Sequence, residues 1–489
     1  MKTENTNKGN IKVNTILNMI KTITSVLFPL VTFPYVSRVL QPDSIGKINF
    51  SNSNVCYFSL LATLGIMTYA IRECSIVREK RNELEKTASQ IFSINIFSMI
   101  LSYILLFICL AAVPKLHDYR LLIAVQSLTI ICDILGTEWL FMSIENYKYI
   151  TIRTISFQFI SLILTFLFVR SQEDYFIYAL ITVFSASGSN IVNFFYRKKI
   201  CKIKFTLDLN LKKHMPPIIL LFAMLITQSI LNNIDVTMLG FIKGDYEVGL
   251  YTTAMKVINV LNQLTSSMFW VFVPQLTLAF SEKNYYNINS LLKKATGFIS
   301  LLVFPISAGV ILLSSEMIYL VGGREYKPAS FCLSLLAISM VFSNVNSISG
   351  NMILLASKRD KQFAAACCAA MLVNIILNYV LIPYYGIYGA AFATIISSIT
   401  IDIVSFFKWD RNINAMELLK TTISPVVGTA LIIVFGICIK SLELSLTSTI
   451  AITVLGSVVL YLLVLWLLKN CVLIEFVTTA KKQLERCKL

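Results

Sequence analysis

Residues 196–214 read YRKKICKIKFTLDLNLKKH, and residues 215–241 continue as MPPIILLFAMLITQSILNNIDVTMLGF. The first stretch is strongly basic, whereas the second is long and almost wholly apolar. A helix of about 20 apolar residues crosses a hydrocarbon core roughly 30 Å thick. Because the polar groups of the backbone must be satisfied inside lipid, an apolar stretch of this length is predicted to be a transmembrane helix.

Similar apolar stretches recur along all 489 residues, of which 56% are hydrophobic and 14% charged, with a mean hydropathy of +0.73. We predict about fourteen spans. They lie at 12–38, 44–70, 87–113, 119–142, 150–169, 174–196, 215–241, 247–275, 293–321, 328–356, 360–384, 386–408, 420–440 and 446–470. The chain is therefore predicted to be an all-α polytopic membrane protein.

The chain has a net charge of +16, and its basic residues are distributed unevenly between the predicted loops. If the N-terminus is cytoplasmic, 31 of the 42 Lys and Arg residues fall in the inner loops and termini. This bias is the positive-inside rule, and it predicts that both termini lie in the cytoplasm. Attraction to anionic lipids explains the basic loops better than binding to nucleic acid does.

Several other classes of feature are disfavoured. The first span lacks a cleavage site for a signal peptidase, so we do not expect a cleaved signal peptide. The eleven cysteines are scattered without a CxxC motif, and the chain has only two histidines, His117 and His214. We therefore expect no disulfide framework, no metal site and no cofactor.

The basic loop divides the spans into six and eight, and the opening pair of spans looks alike in both parts. SIGKINF follows span 1 and EVGLYTT follows span 7, which puts Gly46 and Gly249 in matching places. Since an even number of spans separates the pairs, the halves are predicted to be parallel repeats. The predicted domains are an N-terminal six-helix lobe, a basic cytoplasmic linker, a C-terminal six-helix lobe, and an appended hairpin with a basic tail. Their bounds are 1–200, 201–214, 215–410 and 411–489.

Polar residues form helical stripes on spans 1, 2, 7 and 8. Polar side chains are costly in lipid, so these stripes are expected to line a hydrated central cavity. Hydrogen bonding between helices is the alternative explanation. The candidate cavity residues are Lys21, Arg38, Asn52, Asn232, Asp235, Lys256, Asn259 and Gln263.

Charges inside the spans are the strongest candidates for function. Cations in a cavity suit an anionic substrate such as a phosphate or pyrophosphate. Asp235 and Lys256 could instead pair with each other. Arg72, Asp133 and Glu138 are candidates for a gate or for ion coupling.

No Walker A, HExxH or GxSxG motif occurs in the chain, and every predicted outer loop is short. An enzyme of glycan assembly, which usually has a large outer loop, is therefore disfavoured.

Five segments together resemble the polysaccharide-exporter family of flippases, the Wzx type, which belongs to the superfamily that also contains multidrug exporters and the lipid II flippase. They are FPLVTFPYVSRVLQPDSIGKINF (28–50), LGIMTYAIRE (64–73), TEWLFMSIENYKYITIR (137–153), DVTMLGFIKGDYEVGLYTTAMKV (235–257) and NIILNYVLIPYYGIYGAAFAT (374–394).

The resemblance implies two six-helix lobes in a V shape around a cationic cavity. It implies alternating access that moves an undecaprenyl-diphosphate-linked oligosaccharide repeat unit to the outer leaflet of a bacterial cytoplasmic membrane, for O-antigen or capsule synthesis. Arg38, Arg72, Asp235 and Lys256 stand in matching motifs. Candidate partners are membrane lipids, H⁺ or Na⁺, a polysaccharide polymerase and glycosyltransferases. A cation-coupled multidrug exporter of the same superfamily is the alternative.

Overall fold

The computed structural model describes residues 11–266, 269–442, 445–470 and 474, and the regular structure of these residues is entirely helical. The first of two compact units ends at Gly249 and the second begins at Leu250. Helices of the first unit are α1 (Ile11–Thr63), α2 (Ile66–Val77), α3 (Arg81–Ala112), α4 (Arg120–Gly136), α5 (Glu138–Ser143), α6 (Tyr147–Phe168), α7 (Tyr175–Val183), α8 (Ser189–Ile200) and α9 (Leu211–Ile242).

Helix α10 (Asp245–Ser266) begins in the first unit and continues into the second. The remaining helices are α11 (Phe269–Ser281), α12 (Tyr285–Leu312), α13 (Ser314–Gly322), α14 (Ala329–Asn346), α15 (Asp360–Tyr385), α16 (Ile387–Phe406), α17 (Ala415–Lys440) and α18 (Leu446–Leu467). Two π-helical segments, Phe184–Gly188 and Ser347–Leu355, join α7 to α8 and extend α14.

Within the described ranges, twelve helical runs are long and apolar enough to cross a membrane, or thirteen with one bent pair. The run Met19–Val77 covers predicted span 2 and the part of predicted span 1 from Met19 onward. The bent pair, Asp245–Ser266 with Val271–Ser281, turns by 52° within predicted span 8. The all-α, multi-pass class is confirmed, and the arrangement of fourteen helices in two lobes stays a prediction. The predicted basic tail lies mostly outside the described residues.

Left-handed backbone breaks the helical runs at several positions, and the first of these, Gln41, lies in the loop predicted between spans 1 and 2. Gln41 has φ 61° and ψ 172°, and the following Pro42 disfavours helical backbone at the residue before it. Leu64 and Gly65 have φ 48° and 67°, and Thr137 has φ 46°. Hydropathy therefore predicts the break at Gln41, but it does not reveal those at Leu64 and Thr137, which lie inside predicted spans 2 and 4.

A close reciprocal contact joins two helical turns of the first unit, Pro42–Gly46 and Asp245–Gly249. A Cβ atom at Gly46 would lie 1.8 Å from the Asp245 carbonyl oxygen, and one at Gly249 would lie 2.0 Å from the Pro42 carbonyl oxygen. The Tyr119 hydroxyl donates to Asp245 Oδ1 at 2.7 Å beside this contact. Only glycine lets the two backbones approach so closely.

The basic segment after α8 lies in extended form along α3. The backbone N–H groups of Lys202, Lys204 and Thr206 donate to Glu85 Oε1, Ser89 Oγ and Ser93 Oγ at 3.1, 3.0 and 2.8 Å. Two residues of extended chain advance about 6.6 Å, and four residues of helix advance about 6 Å. The spacing of the donors on the extended segment therefore matches the spacing of the acceptors on α3. We call residues 201–210 the strap, and these hydrogen bonds fix it to the first unit.

His214 extends the same attachment from the start of α9. Its Nδ1 lies 2.7 Å from the Tyr69 hydroxyl, and its Nε2 lies 3.1 Å from Gln90 Oε1. Both ring nitrogens of this buried side chain are thus hydrogen-bonded, as a buried polar group requires.

In the second unit, the C-terminal hairpin packs on α12. Tyr461 of α18 donates to the Leu301 carbonyl at 2.9 Å, and Leu312, Ile432 and Leu465 belong to the same buried apolar cluster. Gly436 of α17 lies against Leu312, where a Cβ atom would come within 2.5 Å. The hairpin is therefore part of the packed second unit.

The loop between α16 and α17 has an acid-sensitive anchor at Asp410. The carboxylate accepts hydrogen bonds from the Asn412 N–H (3.1 Å) and the Tyr285 hydroxyl (2.9 Å), and it lies 3.4 Å from Arg359 Nη2. The Asn412 N–H, the Tyr285 hydroxyl and the Arg359 guanidinium lower the pKa of Asp410.

This anchor gives a testable pH dependence. A carboxyl group whose folded pKa is lowered stabilises the fold above its unfolded pKa of about 3.9 and loses that contribution as the pH falls through the folded value. Proteolysis of the 407–414 loop is therefore expected to accelerate below about pH 4. Asp410→Asn should remove the acid-dependent step. An identical acid profile in the variant would contradict the anchor.

Candidate functional site

Three charged side chains meet in the first unit. Lys21 Nζ lies 2.7 Å from Glu138 Oε1, and Arg153 Nη2 lies 3.2 Å from Glu138 Oε2. The side chains of Lys21 and Glu138 are 23% and 22% exposed, whereas that of Arg153 is only 4% exposed. Two cations thus share one carboxylate, which leaves the charge cluster with one net positive charge.

The local backbone brings the charge cluster together. The break at Thr137 starts the short helix α5 at Glu138, where an acidic side chain is favoured by the N-terminal dipole. Thr151 of α6 donates to the Leu17 carbonyl of α1 at 3.2 Å, which holds Arg153 and Lys21 side by side. Sequence analysis selects Lys21 and Glu138 separately, but it misses both their pairing and Arg153.

Asp133 lies where α4 meets the first π-helical segment. Its Oδ1 accepts hydrogen bonds from Ser187 Oγ at 2.6 Å and from Asn190 Nδ2 at 2.8 Å. Asn193 Nδ2 in turn donates to Asn190 Oδ1 at 3.2 Å. The predicted gate residue is therefore held by neutral donors between two helices.

The second unit has an equivalent arrangement at Asp402, which sequence analysis misses. Ser349 Oγ of the second π-helical segment donates to Asp402 Oδ1 at 3.1 Å. With its amide nitrogen facing the same oxygen, Asn346 donates to Asp402 Oδ1 at 2.6 Å and to the Ser398 carbonyl at 3.2 Å. A lone Asp in the apolar span 386–408 is the signal that could have identified it.

Asp235 of α9 is buried, with 4% of the residue exposed. It interacts electrostatically with Tyr57, whose hydroxyl lies 3.1 Å from Thr237 Oγ1. Thr237 Oγ1 lies 3.1 Å from Ser53 Oγ of α1. A chain of hydroxyl groups thus joins α1 to α9 beside this carboxylate.

The other predicted site residues are distributed over both units. Arg38, Asn52 and Asn232 are exposed in the first unit, and Lys256 is half-buried in the second. Asn259 and Gln263 follow Lys256 along α10, and both are exposed. The structure brings together Lys21 and Glu138 among the predicted residues, and the cavity role of the others stays a prediction.

Arg72 lies in the middle of α2, and its side chain is 63% exposed, with Nε 3.8 Å from Glu73 Oε1. Glu73 Oε2 is also 3.4 Å from Lys213 Nζ at the start of α9. These exposed pairs contribute little to stability individually. They place Arg72 beside the strap, and its role as a gate stays a prediction.

Comparison with known proteins identifies the family of this chain. Residues 11–280 match the family described as "Polysaccharide biosynthesis protein", which is more than half of the chain. The chain belongs to this family. The resemblance inferred from the sequence segments is thereby confirmed.

Two relatives of this polysaccharide biosynthesis protein are informative. It is 24% identical over 397 residues to a putative O-antigen transporter of Escherichia coli (strain K12), covering 79% of this chain and 94% of that protein. It is 31% identical over 163 residues to a probable low-salt glycan biosynthesis flippase, Agl15, of Haloferax volcanii, covering 33% of this chain and 34% of that one. These relatives are transporters and flippases by name.

The fold of the family member also matches a solved structure. The structure of the lipid II flippase MurJ in an inward closed conformation aligns with a TM-score of 0.73 at 20% identity. The alignment covers 92% of this chain and 98% of that one. At this identity the match shows a common fold.

Proposed function

We propose that this protein moves undecaprenyl-diphosphate-linked oligosaccharide repeat units from the inner to the outer leaflet of the cytoplasmic membrane, for synthesis of a surface polysaccharide. The observation that carries the proposal is the similarity over 79% of this chain to a putative O-antigen transporter, within a family of polysaccharide biosynthesis. Glycosyltransferases would supply the substrate, and a polysaccharide polymerase would consume it.

Physical chemistry explains why such a substrate needs a protein. A diphosphate and many sugar hydroxyls lose their hydration in hydrocarbon, and unpaired charges and hydroxyls are expensive there. The polyprenyl tail has no such cost and can stay in lipid. A hydrated path lined with a few cations and amides lowers the barrier without covalent chemistry.

The cations proposed to contact the diphosphate are Lys21, Arg38 and Lys256. Lys21 supports this role because its charge cluster keeps one net positive charge and is partly exposed. The proposed partners of the sugar hydroxyls are the amide side chains of Asn52, Asn232, Asn259 and Gln263. Amides donate and accept hydrogen bonds, so they suit a hydroxyl-rich head group.

Transport of a defined lipid tests the proposal directly. We expect proteoliposomes containing the protein to move a fluorescent polyprenyl-diphosphate oligosaccharide between leaflets at least about tenfold faster than protein-free vesicles, since a barrier lowered by 1.4 kcal/mol already gives that ratio. The measurement is the fraction of label accessible to a membrane-impermeant quencher over time, with and without an imposed H⁺ or Na⁺ gradient.

The same vesicles separate the main proposal from the alternative. A cation-coupled multidrug exporter would use an ion gradient to move cationic dyes across the membrane. It would leave the glycolipid in place. Movement of dyes without movement of the glycolipid would therefore contradict the proposed function.

A further inference from the structure

The buried face of α8 is polar. Asn190 and Arg197 are each 5% exposed and Asn193 is fully buried, and their spacing of three and four residues puts them on one face of the helix. Buried polar groups destabilise a protein unless they are hydrogen-bonded. The partners of these side chains therefore show which part of the first unit this face of α8 holds in place.

The N-terminal part of this face contacts the end of α4. Asn190 Nδ2 donates to Asp133 Oδ1 at 2.8 Å. Asn190 also packs against Gly136, the last residue of α4, where a Cβ atom would collide with the Asn190 side chain. Helix α8 therefore lies directly against the last turn of α4.

Arg197 binds the backbone at the point where α4 ends. Its Nη1 donates to the Leu135 carbonyl at 3.0 Å and lies 3.5 Å from Thr137 Oγ1. The last carbonyl groups of a helix have no partner within the helix, and the helix dipole favours a cation beside them. Thr137, with φ 46° and ψ 46°, is the left-handed residue that ends α4. The Arg197 side chain therefore caps α4 at the turn that leads into α5.

The guanidinium group of Arg197 is held by two aromatic rings. Its central carbon lies 4.7 Å from the ring centroid of Phe92 on α3 and 4.7 Å from that of Phe194 on α8. Aromatic rings at this distance attract a cation through their π electrons. The Cys201 N–H donates to the Arg197 carbonyl at 2.8 Å, so the strap begins one helical turn after this residue. Arg197 thus links α3, the end of α4, α8 and the strap.

The turn that Arg197 holds also places a member of the charge cluster. Glu138 follows Thr137 directly as the first residue of α5. The Glu138 carboxylate lies 2.7 Å from Lys21 Nζ and 3.2 Å from Arg153 Nη2. A displacement of Thr137 that moved this carboxylate by about 1 Å would lengthen both contacts beyond hydrogen-bond distance. The cluster therefore depends on the geometry of the turn.

We propose that Arg197 is a positioning residue for the charge cluster. By holding Leu135 and Thr137, it sets the place where Glu138 meets Lys21. It acts through the Glu138 carboxylate and not by contact with the substrate. Its effect on transport rests on the proposed function, in which Lys21 contacts the diphosphate, whereas its effect on the cluster does not.

Thermal denaturation of the detergent-purified full chain tests the positioning without reference to transport. Arg197→Met keeps the length of the side chain but removes its charge and its hydrogen-bond donors. If Arg197 places Glu138, the two residues are coupled and their substitutions are not additive. Glu138→Gln should then lower the melting temperature of the Arg197→Met variant by less than about half as much as it lowers that of the parent protein. Equal shifts in the two backgrounds would overturn the proposal.

Flipping in proteoliposomes tests whether the positioning matters for transport. We expect Arg197→Met to slow movement of the glycolipid about tenfold in the parent protein, the order of effect of a lost hydrogen bond to a charged group. In the Lys21→Met background the same substitution should slow movement no more than about twofold, because both changes act through one contact. A purely structural loss would multiply the two effects, and that result would contradict a positioning role. Arg197→Lys, which keeps a donor for the Leu135 carbonyl, should recover most of the rate.

Lys198→Met is the matched control, because Lys198 is the exposed neighbour of Arg197 on α8. It should move the glycolipid at the parent rate. Equal slowing by Lys198→Met and Arg197→Met would overturn the specific role of Arg197. If the parent protein moves no glycolipid, the proposed function fails, and the melting temperatures still decide whether Arg197 places Glu138.

Phe194→Leu keeps the test decisive if Arg197→Met fails to fold. It removes one of the two rings that hold the guanidinium and leaves every hydrogen-bond donor of Arg197 in place. We expect about threefold slower flipping in the parent protein, the order of effect of one cation–π contact, and no slowing in the Lys21→Met background. The same factor in both backgrounds, or no slowing in the parent protein, would overturn the proposal.

Discussion

Glu138→Gln is expected to lower the free energy of unfolding by about 3–5 kcal/mol, the cost of leaving a buried charge without its partner. The variant keeps two cations and removes the only carboxylate that the structure shows between them, although Arg153 is 96% buried. Since proteins are stable by only about 5–15 kcal/mol, we expect a large loss of folded protein in the membrane. Thermal denaturation of the detergent-purified protein measures the effect.

Glu145→Gln is the matched control because Glu145 pairs with Arg78 in a more exposed position, with side chains 40% and 36% exposed. Such a pair contributes about 0–1 kcal/mol, so the control should differ little from the parent protein. Equal destabilisation by the two substitutions would contradict the structural importance of the charge cluster.

Lys21→Met separates folding from transport in the same cluster. Glu138 and Arg153 remain as a balanced pair, so the variant should stay folded, whereas a cation proposed to contact the diphosphate is lost. A hydrogen bond to a charged group contributes about 1.5–3 kcal/mol, which corresponds to about a tenfold to hundredfold loss of flipping rate. Unchanged flipping by folded Lys21→Met would remove Lys21 from the proposed path.

Gly46→Ala and Gly249→Ala are each expected to destabilise the first unit by about 3 kcal/mol or more, the upper end of the range for overpacking. The added methyl group would meet a backbone carbonyl oxygen at 1.8 or 2.0 Å, and a backbone cannot move aside as a flexible side chain can. Separation of the two turns would also disturb the hydrogen bond from Tyr119 to Asp245. The measurement is the melting temperature, together with the yield of monodisperse protein.

Gly309→Ala is the control for these substitutions. It lies inside α12 with no atom within 4 Å of the added methyl group. Alanine in a helix interior is favoured over glycine by about 0.5–1 kcal/mol, so this variant should be neutral or slightly more stable. Normal stability of both Gly46→Ala and Gly249→Ala would show that the turns do not touch as described.

Hydropathy and charge predict the class of this protein because lipid imposes a simple rule of length and polarity on every span. The same rule does not predict where the backbone changes direction inside a span. Thr137 turns the chain within predicted span 4, whereas Gln41 lies in the QPDS loop predicted between spans 1 and 2, where Pro42 gives a local signal. The backbone at Thr137 is decided by packing, so it could not be read from residue types.

The charged residues of the candidate site can be predicted from the sequence, because a charge is costly in an apolar segment. The contacts between these residues cannot be predicted. Lys21 and Glu138 stand out because each is a charge in an apolar segment, yet 117 residues separate them in the chain. Arg153 resembles the many basic residues at predicted inner span ends, so its burial is not apparent. Asp402 is not among the residues that sequence analysis selects, although the same cost argument applies to it.

The strap along α3 affects where the chain can be truncated to give a folded fragment. A fragment that stops after α8 would strip Glu85, Ser89 and Ser93 of the backbone donors that they bind, and it would remove His214 from Tyr69. The natural point of truncation therefore lies past the basic segment and past α9, near Gly249. A stretch that looks like a spacer in the sequence is therefore a structural element of the first unit.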